Sequence, residues 1–242
     1  MLFRSVAEFV RQKIRATVHD PETARLLCPQ QTIGCKRLGV DSHYYETYNR
    51  ANVQLVDVSQ FAVDEITPTG LKTQGQAYAF DALVLATGFD AMTGTHTRLD
   101  LRGRGGVTIA DKWHAGPLNY LGLMVSGFPN LFNIAGAGST SAFTNVIVSI
   151  EHHVNWIAAC IADLDAKGLA TIEATESAEA AWTDHVNASA ARTLFLTCNS
   201  WYLGANIPGK TRMFMPLAGG FPAYTDRCAQ VAQNGYEGFA RA

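Results

Sequence analysis

No apolar run in this 242-residue sequence is long enough to span a bilayer, which excludes a membrane helix. The opening MLFRSVAEFVRQK alternates apolar and charged residues and has no signal-peptide core. Excess charge of one sign is missing too. Nineteen Lys and Arg stand against 21 Asp and Glu, a net −2, so no global basic field argues for nucleic acid. Cysteine is sparse and scattered: Cys28, Cys35, Cys160, Cys198 and Cys228 form no CxxC pair. That spacing disfavours zinc and reads as reduced thiols in a cytoplasmic protein. There is no GxSxG elbow, no arrangement favouring a Ser-His-Asp triad, no internal repeat and no low-complexity tract.

What is present is a globular composition, 48% hydrophobic and 17% charged, long enough for one large domain or two small ones. Val6, Phe9, Val10 and Ile14 recur at helical spacing and predict an N-terminal helix. In DPETARLL, Asp20 caps a second helix and Pro21 takes its first position. The stretch 35–50 has neither helical nor strand period and reads as loop. NVQLVDV (52–58) is a strand candidate, and Pro68 with Gly70 marks a hairpin turn. DALVLATGFD (81–90) reads as a buried strand of a covered sheet. Residues 91–118 read as loops and short strands, and a composition change near 90 marks the best domain boundary. LFNI (131–134) then leads through Gly136 and Gly138 to a helix capped by Thr144 or Asn145. Its expected buried face is Val146, Ile150, Val154, Ile157 and Ile161. Another helix is expected near 175–190, with Trp182 and Val186 one turn apart.

Three places invite chemistry, and each has a plainer reading. A strand–glycine–helix turn, here GAGSTS, aims backbone N–H groups and a positive helix end at one spot. It matches only two glycines of the dinucleotide fingerprint, and a ligand-free turn is the commoner outcome of so short a match. Lys36 beside Arg37 invites an anion such as phosphate, although adjacent loop cations are more often just solvated. Trp201 and Tyr202, in a loop with Gly204, Pro208 and Gly209, either line a ligand site or pack the core. His152 and His153 are adjacent, point to different faces of the helix, and read as ordinary helix residues.

Taken together, CKRLGVDSHYYETYNR, LVLATGFD, GGVTIADKW, FPNLFNIAGAGSTSAFTNVIVSIEHHVNW and SWYLGANIPGK resemble, in order and spacing, the C-terminal half of type I Baeyer–Villiger monooxygenases. The resemblance implies an α/β, Rossmann-like two-dinucleotide-binding flavoprotein fold, present as its C-terminal portion only. It implies FAD and NADPH as cofactors, with a ketone and O2 as substrates, giving an ester or lactone. Arg37 matches the active-site arginine, which stabilises negative charge on the activated oxygen and on the ketone adduct. Lys36 matches the residue near the NADPH 2′-phosphate, and Trp201 the tryptophan that contacts NADP. Ser141, Ala142, Thr144, Asn145 and Val146 match the stretch beside the flavin, with backbone at Asn145 and Val146 facing its carbonyl edge.

Residues 1–31 then correspond to the tail of a helical insertion, 32–89 to the closing part of the NADP-binding domain, and 90–242 to the returning part of the FAD-binding domain. The full GxGxxG loops of the family have no counterpart here, which implies a missing N-terminal half. The family carries prolines in the glycine turn where this chain has Ala137 and Thr140. It also often has Met at Val146 and commonly Pro at Leu38. The rival expectations are an inactive fragment or partner-dependent subunit of such an enzyme, and an N-oxygenating flavin monooxygenase. Neither a membrane nor a nucleic acid is expected as partner, and no metal site is expected.

Overall fold

A computed structural model describes residues 2–242, with side chains from residue 4 onward. The chain divides at Gly88 and Phe89 into two compact units, and the second unit also takes in Gly34–Arg37.

The first unit opens on α1 (Leu2–Thr17) and α2 (Pro21–Leu27). Asp20 caps α2 as its sequence requires, its carboxylate accepting from the Thr23 amide at 2.7 Å. Ile14, Val18, Ala24 and Cys28 form a small core on which Tyr45 and Tyr48 pack. Asn49 ties this core together, donating to the Thr17 carbonyl and accepting from the His19 amide, both at 2.8 Å. A meander follows: β1 (Glu65–Thr67), β2 (Gly70–Thr73) and β3 (Gln76–Ala79), antiparallel throughout. The hairpin turn falls at Pro68 and Gly70, as expected. A side chain at Gly70 would collide with the Tyr78 carbonyl.

Neither 52–58 nor 81–90 forms a strand. Residues Val84, Leu85 and Phe89 are 83%, 71% and 87% exposed, so the expected buried run lies open. A strand exists only with a neighbour to pair with, and among the described residues no segment pairs with either run.

The second unit carries the main core. Its first elements are the short helices α3 (Gly94–Arg98) and α4 (Ile109–Lys112), where short strands were expected; Arg102 and Thr108 form a single bridge. LFNI likewise reduces to a bridge between Met124 and Phe132. The long helix α5 (Val146–Lys167) is followed by β4 (Ile172–Ala174), α6 (Glu176–Ala191), α7 (Phe221–Gln233) and β5 (Phe239–Arg241), with β4 and β5 antiparallel. Trp182 and Val186 of α6 are buried, as their spacing implies.

The buried face of α5 is Ser149, His153, Trp156, Cys160 and Leu164, not the expected set. Val146, Val154 and Ile161 are 43–45% exposed, and Ile150 and Ile157 are half-buried. The helix has apolar residues on two sides, and periodicity alone cannot say which side meets the core. Trp156 anchors the buried side, its indole N–H donating to the Cys228 carbonyl of α7 at 3.0 Å.

Among the described residues no helix is long and apolar enough to cross a membrane.

Candidate functional site

The glycine turn is built by close approach. At Gly136 a Cβ would strike the Gly122 carbonyl, and at Gly138, where φ is +79°, it would meet the Asn119 side chain at 2.9 Å. The turn lacks the family's prolines, yet it is pinned from several directions. The Trp182 indole donates to the Gly138 carbonyl at 3.0 Å, and Ser139 Oγ to the Gly136 carbonyl at 2.7 Å. Backbone bonds from Gly138 N to Met215 O and from Leu217 N to Ser139 O sew it to the tail of the chain.

His153 adds a bond that sequence reasoning missed by treating it as an ordinary helix residue. It is fully buried, and its Nδ1 accepts from the Ala135 amide at 2.9 Å. An N–H donor at Nδ1 leaves the ring proton on Nε2, 2.8 Å from the Tyr224 hydroxyl. Tyr224 in turn donates to the Leu121 carbonyl at 2.7 Å. Burial, with His152 alongside, pulls the His153 pKa down to about 4. The imidazole is a neutral strut holding Ala135, whose φ is +56°. Burial of an imidazole leaves no mark in sequence; the only cue was its place one helical turn before Trp156 and after Ser149.

After the turn, the Ser141 hydroxyl is buried between those of Ser139 and Ser149, at 2.7 and 3.0 Å, so its side chain is spent on the fold. Ala142 is buried and Thr144 half-buried. Asn145 caps α5, its side chain accepting from the Ile147 amide at 3.0 Å. Asn145 and Val146 are exposed at the positive end of that 22-residue helix.

The second set of candidates converges on the same unit. Residues Gly34–Arg37 are carried there, and Cys35 and Cys198 are paired as a disulfide with Cα atoms 6.1 Å apart. This corrects the expectation of five reduced thiols. A separation of 163 residues hid the pair from any spacing rule, while Cys28, Cys160 and Cys228 remain free and buried. Lys36 and Arg37 are exposed beside the bridge. Burial raises the Tyr202 hydroxyl pKa, and the nearby Arg37, through its charge and its backbone, opposes that rise. Trp201 is half-buried against Tyr202, with ring centroids 4.3 Å apart. Phe143, inside the stretch after the glycine turn, meets Tyr202 at 5.0 Å edge-on and stacks on Phe195 at 4.8 Å. One aromatic cluster thus joins the helix-cap segment and the tryptophan loop.

A further pair went unnoticed in the sequence. Lys210 Nζ lies 2.6 Å from the Asp90 carboxylate, both side chains only 16% exposed, which ties the end of LATGFD to the end of SWYLGANIPGK. The cue was that each motif ends in a charge of opposite sign.

Several features suit a polar cofactor. Thr140 Oγ1 and Ser200 Oγ are buried without a hydrogen-bond partner, one in the glycine turn and one beside Trp201. Exposed cations stand at Lys36 and Arg37, and an exposed helix N-terminus at Asn145. A cavity of about 840 Å³ along α6 and α7 is lined by none of these candidates.

No protein-family model matches the chain. Sequence relatives do. A 2-oxo-Δ3-4,5,5-trimethylcyclopentenylacetyl-CoA monooxygenase of Pseudomonas putida is 41% identical over 97% of this chain and 44% of its own length. A Baeyer–Villiger monooxygenase of Pseudooceanicola batsensis is 41% identical over 98% and 43%. A phenazine N-monooxygenase of Lysobacter antibioticus is 40% identical over 98% and 43%. Among solved structures, closed cyclohexanone monooxygenase matches at TM-score 0.93 and 41% identity over 99% of this chain and 45% of that one. A steroid monooxygenase bound to NADP matches at 0.89 and 48%, over 98% and 45%. The chain belongs to the Baeyer–Villiger monooxygenase family. It corresponds to the C-terminal part of these flavoproteins and spans about 44% of the length of the curated relatives.

Proposed function

We propose that the chain forms the C-terminal half of an FAD- and NADPH-dependent monooxygenase that inserts one oxygen atom of O2 beside a ketone carbonyl. Ketone, O2, NADPH and a proton become ester or lactone, water and NADP+. The observation that carries this reading is the return of Gly34–Arg37 to the unit that holds the glycine turn and Trp201, within a chain of this family. FAD and NADPH supply the redox chemistry when bound.

The chain's own residues then bind and orient. The Arg37 guanidinium stabilises negative charge on the oxygen added to the ketone. Lys36 binds the 2′-phosphate of NADPH, and the half-exposed ring of Trp201 packs on the nicotinamide cofactor. Ser141, Ala142 and Thr144 lead the backbone past the flavin, and Asn145 and Val146 offer it the positive end of α5. Residues 1–31 belong to a helical insertion, 32–89 close the NADP-binding domain, and 90–242 return to the FAD-binding domain. An N-terminal half carrying the pyrophosphate loops is the natural cover for the exposed Val84, Leu85 and Val154. The cytoplasm is the proposed location.

A second reading, N-oxygenation of an aromatic heterocycle, is favoured by the phenazine N-monooxygenase, as similar to this chain as the ketone enzymes are. Co-expression of this chain with the N-terminal half of a family member tests both. Product analysis with cyclic and linear ketones, beside phenazine, is expected to yield lactone or ester. An N-oxide as the sole product favours the second reading. A yellow, NADPH-oxidising complex that makes neither product overturns both.

A further inference from the structure

We propose that Cys35 and Cys198 form a reversible redox site, a dithiol that peroxide closes into a disulfide and so latches the Lys36–Arg37 loop onto the Trp201–Tyr202 segment. Its first support is placement. Cys35 directly precedes the two cations, and Cys198 lies three residues before Trp201. Gly34–Arg37 is the one short stretch that belongs to the second unit while the residues on both sides of it belong to the first. A bridge at Cys35 therefore fastens that stretch to the second unit.

The second support is selectivity. Cys35 is 1% exposed but Cys198 is half-buried, so an oxidant reaches Cys198 first. The other thiols are poor competitors. Cys28, Cys160 and Cys228 are all buried. Burial lifts the Cys160 pKa to about 11 and that of Cys228 to about 12, and thiols held protonated react slowly.

The chemistry balances with a hydroperoxide as oxidant. The Cys198 thiolate attacks the O–O bond of H2O2 and becomes a sulfenic acid, releasing hydroxide, which takes up a proton as water. The Cys35 thiol displaces the sulfenic oxygen as a second water, and the S–S bond forms. Two electrons have passed from two thiols to one peroxide. A small dithiol reverses this by exchange, itself becoming a disulfide. In a reducing compartment such a bridge is transient, which suits a sensor rather than a permanent staple.

That the latched loop holds the catalytic arginine rests on the proposed function; the bridge and its effect on the loop do not. The test uses the full chain, oxidised with H2O2 or reduced with dithiothreitol, then denatured, alkylated and mapped by mass spectrometry. A peptide linked through Cys35 and Cys198 is expected only after oxidation. Brief native trypsin treatment reads the latch, because cleavage after Lys36 and Arg37 needs that loop to open. The oxidised chain is expected to be cut there about fivefold or more slowly than the reduced one. Cys198→Ser and, independently, Cys35→Ser abolish the difference, whereas Cys228→Ser keeps it.

Five alkylatable thiols after oxidation, or a bridge through any other pair, overturns the site. A Cys35–Cys198 bridge with unchanged cutting overturns the latch. If bridge and latch behave as expected but the reassembled enzyme oxygenates nothing, the functional reading fails and the redox site stands.

Discussion

Replacing His153 by glutamine isolates one term of the fold. Glutamine offers an acceptor to the Ala135 amide and a donor to the Tyr224 oxygen, but it does not titrate. In the native protein His153 resists protonation down to about pH 4, because a charged ring would be buried and would point a donor at the Ala135 N–H. In the unfolded chain it titrates near its ordinary value of 6.5. The native pKa is the lower one, so as pH falls the unfolded state takes the proton first. The stabilisation is whole above about pH 6.5 and is lost progressively down to about pH 4, amounting to about 3 kcal/mol. Urea unfolding at pH 7.5, 6, 5 and 4.5 measures it for both proteins. At pH 7.5 His153→Gln is expected to be less stable by about 1–2 kcal/mol, since its hydrogen bonds fit less well. By pH 4.5 the gap is expected to close or invert. His152 is present in both proteins, so its own burial-lowered titration enters both curves. Parallel stability curves across this range would refute the neutral-strut assignment.

Four further outcomes are expected. In the enzyme reassembled with an N-terminal half, Arg37→Ala retains FAD by absorbance but loses product formation by about a hundredfold or more, and Arg37→Lys does not rescue it. In the same assay Lys36→Ala raises the KM for NADPH far more than that for NADH. Lys210→Met leaves the Asp90 carboxylate without its partner in a mostly buried site, and urea unfolding is expected to show a loss of about 2 kcal/mol or more, partly recovered by adding Asp90→Asn. The chain by itself, with Val84, Leu85 and Phe89 open to solvent, is expected to bind an apolar dye and to elute above its monomer size; a compact, dye-free monomer would contradict this.

Some of the molecule was plain in the sequence for identifiable reasons. Helix α2 has Asp20 and Pro21 at its start, and α6 has one apolar side that centres on Trp182 and Val186. Both signals are local, so nothing distant could override them. Helix α5 was found with its cap but given the wrong inner face, because Val154 and Trp156 compete for the core and only tertiary packing decides between them. The strands expected at 52–58 and 81–90 depend on neighbours rather than on their own residues. The site divides the same way. Arg37, Lys36, Trp201 and Asn145 stood out by residue type and motif, whereas the buried His153, the Asp90–Lys210 pair and the Cys35–Cys198 bridge are matters of distance in space.

The two apolar sides of α5 answer to different selective demands. Trp156, on the inner side, holds this unit together, and its truncation to alanine is worth about 3–5 kcal/mol wherever the unit folds. Val154 and Ile161, on the other side, are 44% and 45% exposed, so polar replacements there are expected to cost far less, on the order of 0.5 kcal/mol, when the chain stands alone. A mutational scan of this helix therefore separates two kinds of intolerance. Positions that fail in the isolated chain report its own folding, and positions that fail only in the enzyme reassembled with an N-terminal half map the footprint of that half.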